Sequence, residues 1–174
     1  AKINIRGFKQ ENISVLLNGI PISGLTSGSM FWNNWMGLSS ETGSIQIQKG
    51  IGNSMLSDNS VGGTINIITL QPSDKSSLSA SYYHTGQGTN CLDVSTSTGK
   101  LPHGWNLGLS LSYTRGNTFV ECSDVRALSY LAVVTKKFNS RHSLNITALG
   151  SPEQHYQRSQ RLTYSEIEEY GAGY

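Results

Sequence analysis

Residues 105–114 alternate without a break. Trp105, Leu107, Leu109, Leu111 and Tyr113 fall on one face, and Asn106, Gly108, Ser110, Ser112 and Thr114 on the other. A strict period of two belongs to a β-strand with two unlike faces and rules out an amphipathic helix. About ten residues is the length a tilted strand needs to cross hydrocarbon. Aromatics at both ends with aliphatics between them match the two interfacial girdles of a membrane barrel.

Shorter versions of this pattern flank it. Leu78, Ala80 and Tyr82 share a face in one segment. Leu92 and Val94 share a face in the next, opposite Asp93, Ser95 and Ser97. Leu144, Ile146 and Ala148 oppose Asn145 and Thr147 in a third. A segment from Tyr130 to Phe138 has two candidate faces, because Leu131 and Val133 compete with Ala132 and Val134. Short breaks at Gly99 to Gly104 and Asn139 to His142 alternate with longer ones at Gly116 to Leu128 and beyond Gly150. Outer-membrane barrels alternate short periplasmic turns with long outer loops in the same way.

Composition agrees with such a wall. Apolar residues make up 36% of the 174 and charged residues 14%, both below the roughly 45–50% and 25% of soluble domains. Strands that show lipid on one face and polar groups on the other need little of either. The net charge of +2 is too balanced for a nucleic-acid partner. No run of eighteen apolar residues provides a transmembrane helix, which leaves a barrel open. The chain opens directly on strand-like residues with no leader pattern, so it is expected to begin inside a domain.

Residues 1–70 are built differently. Ile3 to Phe8 reads as a strand turning at Gly7, and Ile13 to Leu17 as a second strand. Asn18-Gly19 is a strong two-residue hairpin signal, and Pro21 keeps the returning segment short or at an edge. Residues 23–44 read as loop and hold the aromatic and methionine cluster Met30, Phe31, Trp32, Trp35 and Met36. Ile45 to Lys49 alternates like a half-buried strand. Gly50 and Gly52 break it, and Asn53 to Asp58 could form one helical turn. Gly62-Gly63 then leads into the β-branched strand Thr64 to Thr69.

The order strand, glycine turn, Gly62-Gly63-Thr64-Ile65-Asn66-Ile67 resembles the end of the plug domain in TonB-dependent outer-membrane transporters. Ile5-Arg6-Gly7-Phe8 is similar to that plug's Ile-Arg-Gly motif, and Leu17-Asn18-Gly19 to its Asp/Asn-Gly turn. The matches span nearly all of residues 1–70. Lys49 stands where arginine is usual, Ile51 where proline is common, and Met55-Leu56-Ser57 where Leu-Tyr-Gly is usual.

The resemblance implies a mainly β chain. Residues 1–72 would be a partial plug, a small mixed sheet with short helical pieces. Residues 73–174 would supply about five antiparallel strands of a larger transmembrane barrel, with outer loops. Five strands cannot close in lipid without unsatisfied edges, and plugged barrels use about 22, so the chain is expected to be part of a longer protein.

The resemblance also implies a function: uptake of a scarce ligand (an iron chelate, a cobalamin-like cofactor or a glycan) across the bacterial outer membrane. The partners would be that ligand, outer-membrane lipid and a TonB-type energy-transducing complex acting through a plug segment not present here. No cofactor, metal or enzymatic activity is implied. Arg6 is the leading candidate for ligand contact or plug–barrel pairing, against a plain solvated turn arginine. Lys49 aligns with a second basic position that pairs with barrel acids, against a surface lysine at a strand end; it lacks the guanidinium fork. Phe31, Trp32 and Trp35 could stack on a ligand or close the plug's own small core, and the second role is favoured.

Cys91 and Cys122 both fall at outer segment ends, so a disulfide and two free thiols remain alternatives, the second favoured. The four histidines show no metal-ligand spacing. No phosphate-binding loop or nucleophile elbow occurs. The competing reading is a soluble β-sandwich binding or adhesion module, which would bury the Trp105–Tyr113 face against a second sheet.

Overall fold

The structure is a computed structural model that describes residues 3–24, 27–35, 37–50, 60–117, 120, 123–156 and 162–171. The expectations for Met36, for the helical turn at Asn53 to Asp58, for Ile51 and Met55-Leu56-Ser57, and for Cys122 fall outside the described residues. The chain divides into two compact units, Ala1–Gln71 and Pro72–Tyr174.

The first unit holds β1 (Ile13–Leu17), β2 (Ile20–Pro21), α1 (Leu38–Glu41), β3 (Thr42–Lys49) and β4 (Gly63–Thr69). Its sheet has the order β2-β1-β4-β3, with β1 parallel to β4 and the other pairs antiparallel. Ile13, Val15, Leu16, Leu17, Ile65 and Ile67 are buried and form the core with Met30 and Leu38. Asn18 and Gly19 both have positive φ, as a tight hairpin turn requires. That turn is tied to β4: Asn18 Nδ2 donates to Thr69 Oγ1, Thr69 N donates to Asn18 Oδ1, and Gly19 N donates to Asn66 Oδ1, each at 3.0 Å.

Three expectations for this unit change. Ile3 to Phe8 is not a strand: Ile5 and Phe8 form one isolated bridge around a turn at Arg6-Gly7. Residues 23–44 are not all loop, because they include a 3₁₀ turn at Trp32–Asn34, the short α1 and the start of β3. β3 is not half-buried. Among the described residues it pairs only with β4 and lies at the sheet edge, leaving Ile45 and Ile47 58% and 59% exposed, although their partners Ile67 and Ile65 are buried. The core covers the two central strands and stops short of the edge.

The second unit is one antiparallel sheet built from β5 (Ser76–His84), β6 (Asn90–Thr98), β7 (Trp105–Asn117), β8 (Asp124–Lys137), β9 (Ser143–Gly150) and β10 (Glu153–His155). β9 and β10 both pair with β8 in one continuous register, from Ser143 opposite Lys137 to His155 opposite Val125. They are one strand interrupted at Ser151-Pro152, where proline has no N–H to give the ladder; Pro152 still accepts from Leu128 N at 3.0 Å. The long connections expected at Gly116 to Leu128 and beyond Gly150 are therefore partly strand. Asp124–Leu128 extends β8 opposite Tyr113–Asn117, leaving 118–123 between β7 and β8. A short helix, α2 (Tyr164–Tyr170), begins at a capping box. Thr163 N and Oγ1 both donate to Glu166 Oε2 at 2.7 Å, and the backbone bond first, then the hydroxyl, hold the Glu166 carboxyl below its usual range.

The two glycines before β4 have separate physical causes. A Cβ on Gly62 would lie 2.7 Å from Phe8 Cβ and 2.9 Å from Asn12 O, so this residue must be small for the Arg6-Gly7 turn to pack on it. Gly63 has φ +140°, and a Cβ there would sit 2.4 Å from Gln48 O on the paired strand. Gly63→Ala should destabilise the first unit by roughly 1–3 kcal/mol. Protease resistance of residues 1–71 in the full-length protein measures this; unchanged resistance would show that β4 tolerates a side chain there.

Candidate functional site

The aromatic loop is organised by Gln10, which is buried at the head of β1. Its amide donates to Met30 O, and its Oε1 accepts from Trp32 Nε1 at 3.2 Å and from Ile3 N at 3.3 Å. A buried amide that meets its hydrogen-bonding needs in this way fixes the loop on both sides. Gln10 carries no periodic or motif signal, so the sequence did not single it out.

The three aromatic candidates differ as a result. Trp32 is half-buried and bonded through its indole to Gln10, and so contributes to the core. Trp35 is half-buried, with its N–H on Trp32 O at 3.2 Å and its carbonyl accepting from Leu38 N at 3.1 Å, at the entry to α1. Phe31 is 61% exposed and presents its ring to the surface.

Arg6 is exposed and has φ 50°, left-handed backbone that an arginine adopts at a cost of roughly 1 kcal/mol. Gly7 follows at φ 83°, and the pair closes the turn through Ile5 N to Phe8 O at 3.1 Å and Phe8 N to Ile5 O at 2.9 Å. Asparagine or glycine would make this turn with less strain. Lys49 is exposed at the end of β3, opposite Gly63. Neither Arg6 nor Lys49 has an acidic partner among the described residues.

The second unit's two faces are chemically distinct. Leu107, Leu109, Leu111 and Tyr113 lie opposite Val134, Ala132, Tyr130 and Leu128. Val94 and Leu92 of β6 and Ala80 and Tyr82 of β5 continue the same face, as do Ile146 and Ala148 of β9. This face is open: Leu107, Leu109 and Leu111 are 38%, 44% and 43% exposed. Register settles the parity of β8, with Ala132 and Val134 on the apolar face and Leu131 and Val133 buried on the other. The opposite face is rich in small polar groups, among them Ser95, Ser97, Ser110, Ser112 and Ser129.

The segment entering the sheet crosses that polar face. Ser73 O accepts from Ser97 Oγ at 3.1 Å and from Asn106 Nδ2 at 2.9 Å, and Pro72 lies against Gly108. Nearby, Lys100 pairs with Asp74 at 2.6 Å, and this hydrogen bond holds the Asp74 carboxyl below its usual range. Cys91 is a free thiol on the polar face and accepts from Thr114 Oγ1 at 3.3 Å. No group of three or more His, Cys, Asp or Glu capable of holding a metal occurs among the described residues.

A small mixed sheet followed by a two-faced antiparallel wall defines a plug joined to barrel strands. Residues 1–64 match the TonB-dependent Receptor Plug Domain, so this part of the chain carries that domain, and the fold of the chain is similar to that of solved outer-membrane receptors. Similar solved structures include the unliganded ferric citrate transporter FecA (TM-score 0.75, 17% identity, 95% of this chain and 26% of that one). The ferric-catecholate import receptor Fiu of E. coli K12 aligns with TM-score 0.72 at 17% identity, over 88% of this chain and 22% of that one. The pyoverdine outer membrane receptor FpvA of Pseudomonas aeruginosa PAO1, bound to pyoverdine, aligns with TM-score 0.68 at 18% identity, over 85% of this chain and 21% of that one. The chain thus spans about a fifth to a quarter of these structures' length. No curated protein sequence matches the chain.

Strain at Arg6 and the indole bond of Trp32 predict opposite effects on folding. Arg6→Gly should leave the stability of the first unit unchanged or higher, because the turn is relieved, and Phe31→Ala should leave it unchanged. Trp32→Ala should destabilise the unit by roughly 3 kcal/mol. Thermal melts check this; a lower melting temperature for Arg6→Gly would show that the arginine stabilises the turn.

Proposed function

We propose that the chain is the plug-end and first wall segment of an outer-membrane receptor that imports a ferric chelate. Residues 1–72 act as plug and residues 73–174 as barrel wall in this reading. The observation that carries it is the pairing of a TonB-dependent plug domain with a sheet whose aliphatic face is open. A soluble sandwich would have buried that face against a second sheet.

The open face meets outer-membrane hydrocarbon. The serine face, which the incoming Pro72–Ser73 segment crosses, lines the lumen. Ligand binds from outside, with Arg6 offering a cation and Phe31 a ring; Lys49 contributes to plug–barrel pairing. A TonB-type complex supplies the pull on the plug. The residues bind and gate, and none is assigned covalent chemistry. Iron chelates are preferred over a cobalamin-like cofactor or a glycan because similar solved structures are named for ferripyoverdine, ferric catecholate and ferric citrate.

Two experiments test the reading. A deletion strain should lose growth under iron limitation on at least one ferric chelate; a defect confined to cobalamin or a glycan would overturn the ligand class. Leu109→Arg should destabilise the receptor by roughly 2–4 kcal/mol in a bilayer, the cost of a cation at mid-membrane on a barrel's lipid face. Heat-modifiability of the purified receptor on gels reads this out, and a tolerated arginine would contradict the placement of the apolar face.

A further inference from the structure

At the end of the sheet away from Trp105, the apolar face stops at the row Tyr82, Leu92, Tyr113 and Leu128. The next row on the same face is His84, Asn90, Arg115, Arg126 and Gln154. Arg115 and Arg126 are direct cross-strand partners, so their Cα atoms lie about 5 Å apart. Both are exposed. Like charges placed directly opposite repel, and no acidic side chain pairs with either guanidinium among the described residues. Asp124 stands one row further out on this face and forms no ion pair with them. Asn90 is already engaged, accepting from Tyr82 Oη and bonded to His84 Nδ1.

We propose that Arg115 and Arg126 form a phosphate site for a lipid headgroup. This rests on the barrel-wall reading given above. The pair adjoins the surface assigned to hydrocarbon, one row beyond its last tyrosines, which is the level where headgroups begin. Two guanidinium forks can grip one phosphate with paired hydrogen bonds, which turns the repulsion between them into binding. In the last paired row at the other end of the face, Trp105–Lys136–Leu144, the cation among the described residues is Lys136, 4.8 Å from the Trp105 ring centroid, which offers no comparable fork. A lipid phosphate is the occupant chosen because its acyl chains would lie along Tyr113, Leu111 and Tyr130, continuous with the apolar face.

The test uses the full-length receptor reconstituted in phosphatidylcholine vesicles with spin-labelled phosphatidylglycerol or spin-labelled phosphatidylcholine. The wild type should hold the anionic label preferentially, and Arg115→Gln/Arg126→Gln should reduce that preference roughly tenfold. Arg115→Lys/Arg126→Lys, which keeps the charge but loses the fork, should fall between the two. Each single glutamine variant provides the same reading if the double variant does not assemble. Equal preference in wild type and glutamine variants would overturn the site. Displacement of the label by inorganic phosphate at matched concentration would overturn the lipid as its occupant. A wild-type receptor that fails to insert would instead overturn the barrel-wall reading, and the site with it.

Discussion

Every backbone N–H and C=O taken out of water must find a partner within the protein, and the second unit meets that demand by strand pairing. Its strands pair in unbroken registers, including one that runs through Pro152 from Ser143 to His155. Alternation then sorts side chains without further instruction: residues that share a row share a face. The open apolar face and the serines lie on opposite sides because β5 to β9 all keep the same parity, and Leu131 and Val133 of β8 are buried on the serine side. The outer edges of β5 and of β9–β10 have no partner strand among the described residues. In a membrane wall those edges require further strands, and this chain aligns with only 21% and 26% of two receptors of similar fold.

The plug depends on small close contacts. Gly62 lets Phe8 and the Asn12 carbonyl approach, so the motif around Arg6 and the motif before β4 meet in space although they are far apart in sequence. Gln10 fastens the aromatic loop from the other side, and the Asn18 turn is locked to Thr69 and Asn66. Support of this kind fixes the segment that carries the exposed ring of Phe31; in the proposed function that ring and the strained cation at Arg6 face a ligand.

Much of this was readable from residue order. β1, the Asn18-Gly19 turn, β4 and β7 follow from β-branched runs, a two-residue turn code and strict alternation. Other features depended on information that no local window holds. The face chosen by Leu131 and Val133 is decided by pairing with β7, since both parities are apolar. The exposure of Ile45 and Ile47 reflects an edge position, which alternation does not report. Asp124–Leu128 and Glu153–His155 join the sheet because neighbouring strands extend far enough to pair with them, despite turn-like and charged residues. The candidate site was legible as a set of residue types, but the separation of Trp32 from Phe31 came only from the indole bond to Gln10.

In the proposed function the Leu107, Leu109 and Leu111 face of β7 meets lipid, and the opposite face, with Ser110 and Ser112 buried, is turned away from it. Spin labels placed one at a time along residues 105–114 of the full-length receptor in a bilayer test it directly, through accessibility to oxygen and to a water-soluble paramagnet. The expected result is a period of two, with oxygen accessibility high at 107, 109 and 111 and low at 106, 108 and 110. Uniform accessibility along the segment, or low accessibility to both reagents at 107, 109 and 111, would contradict it.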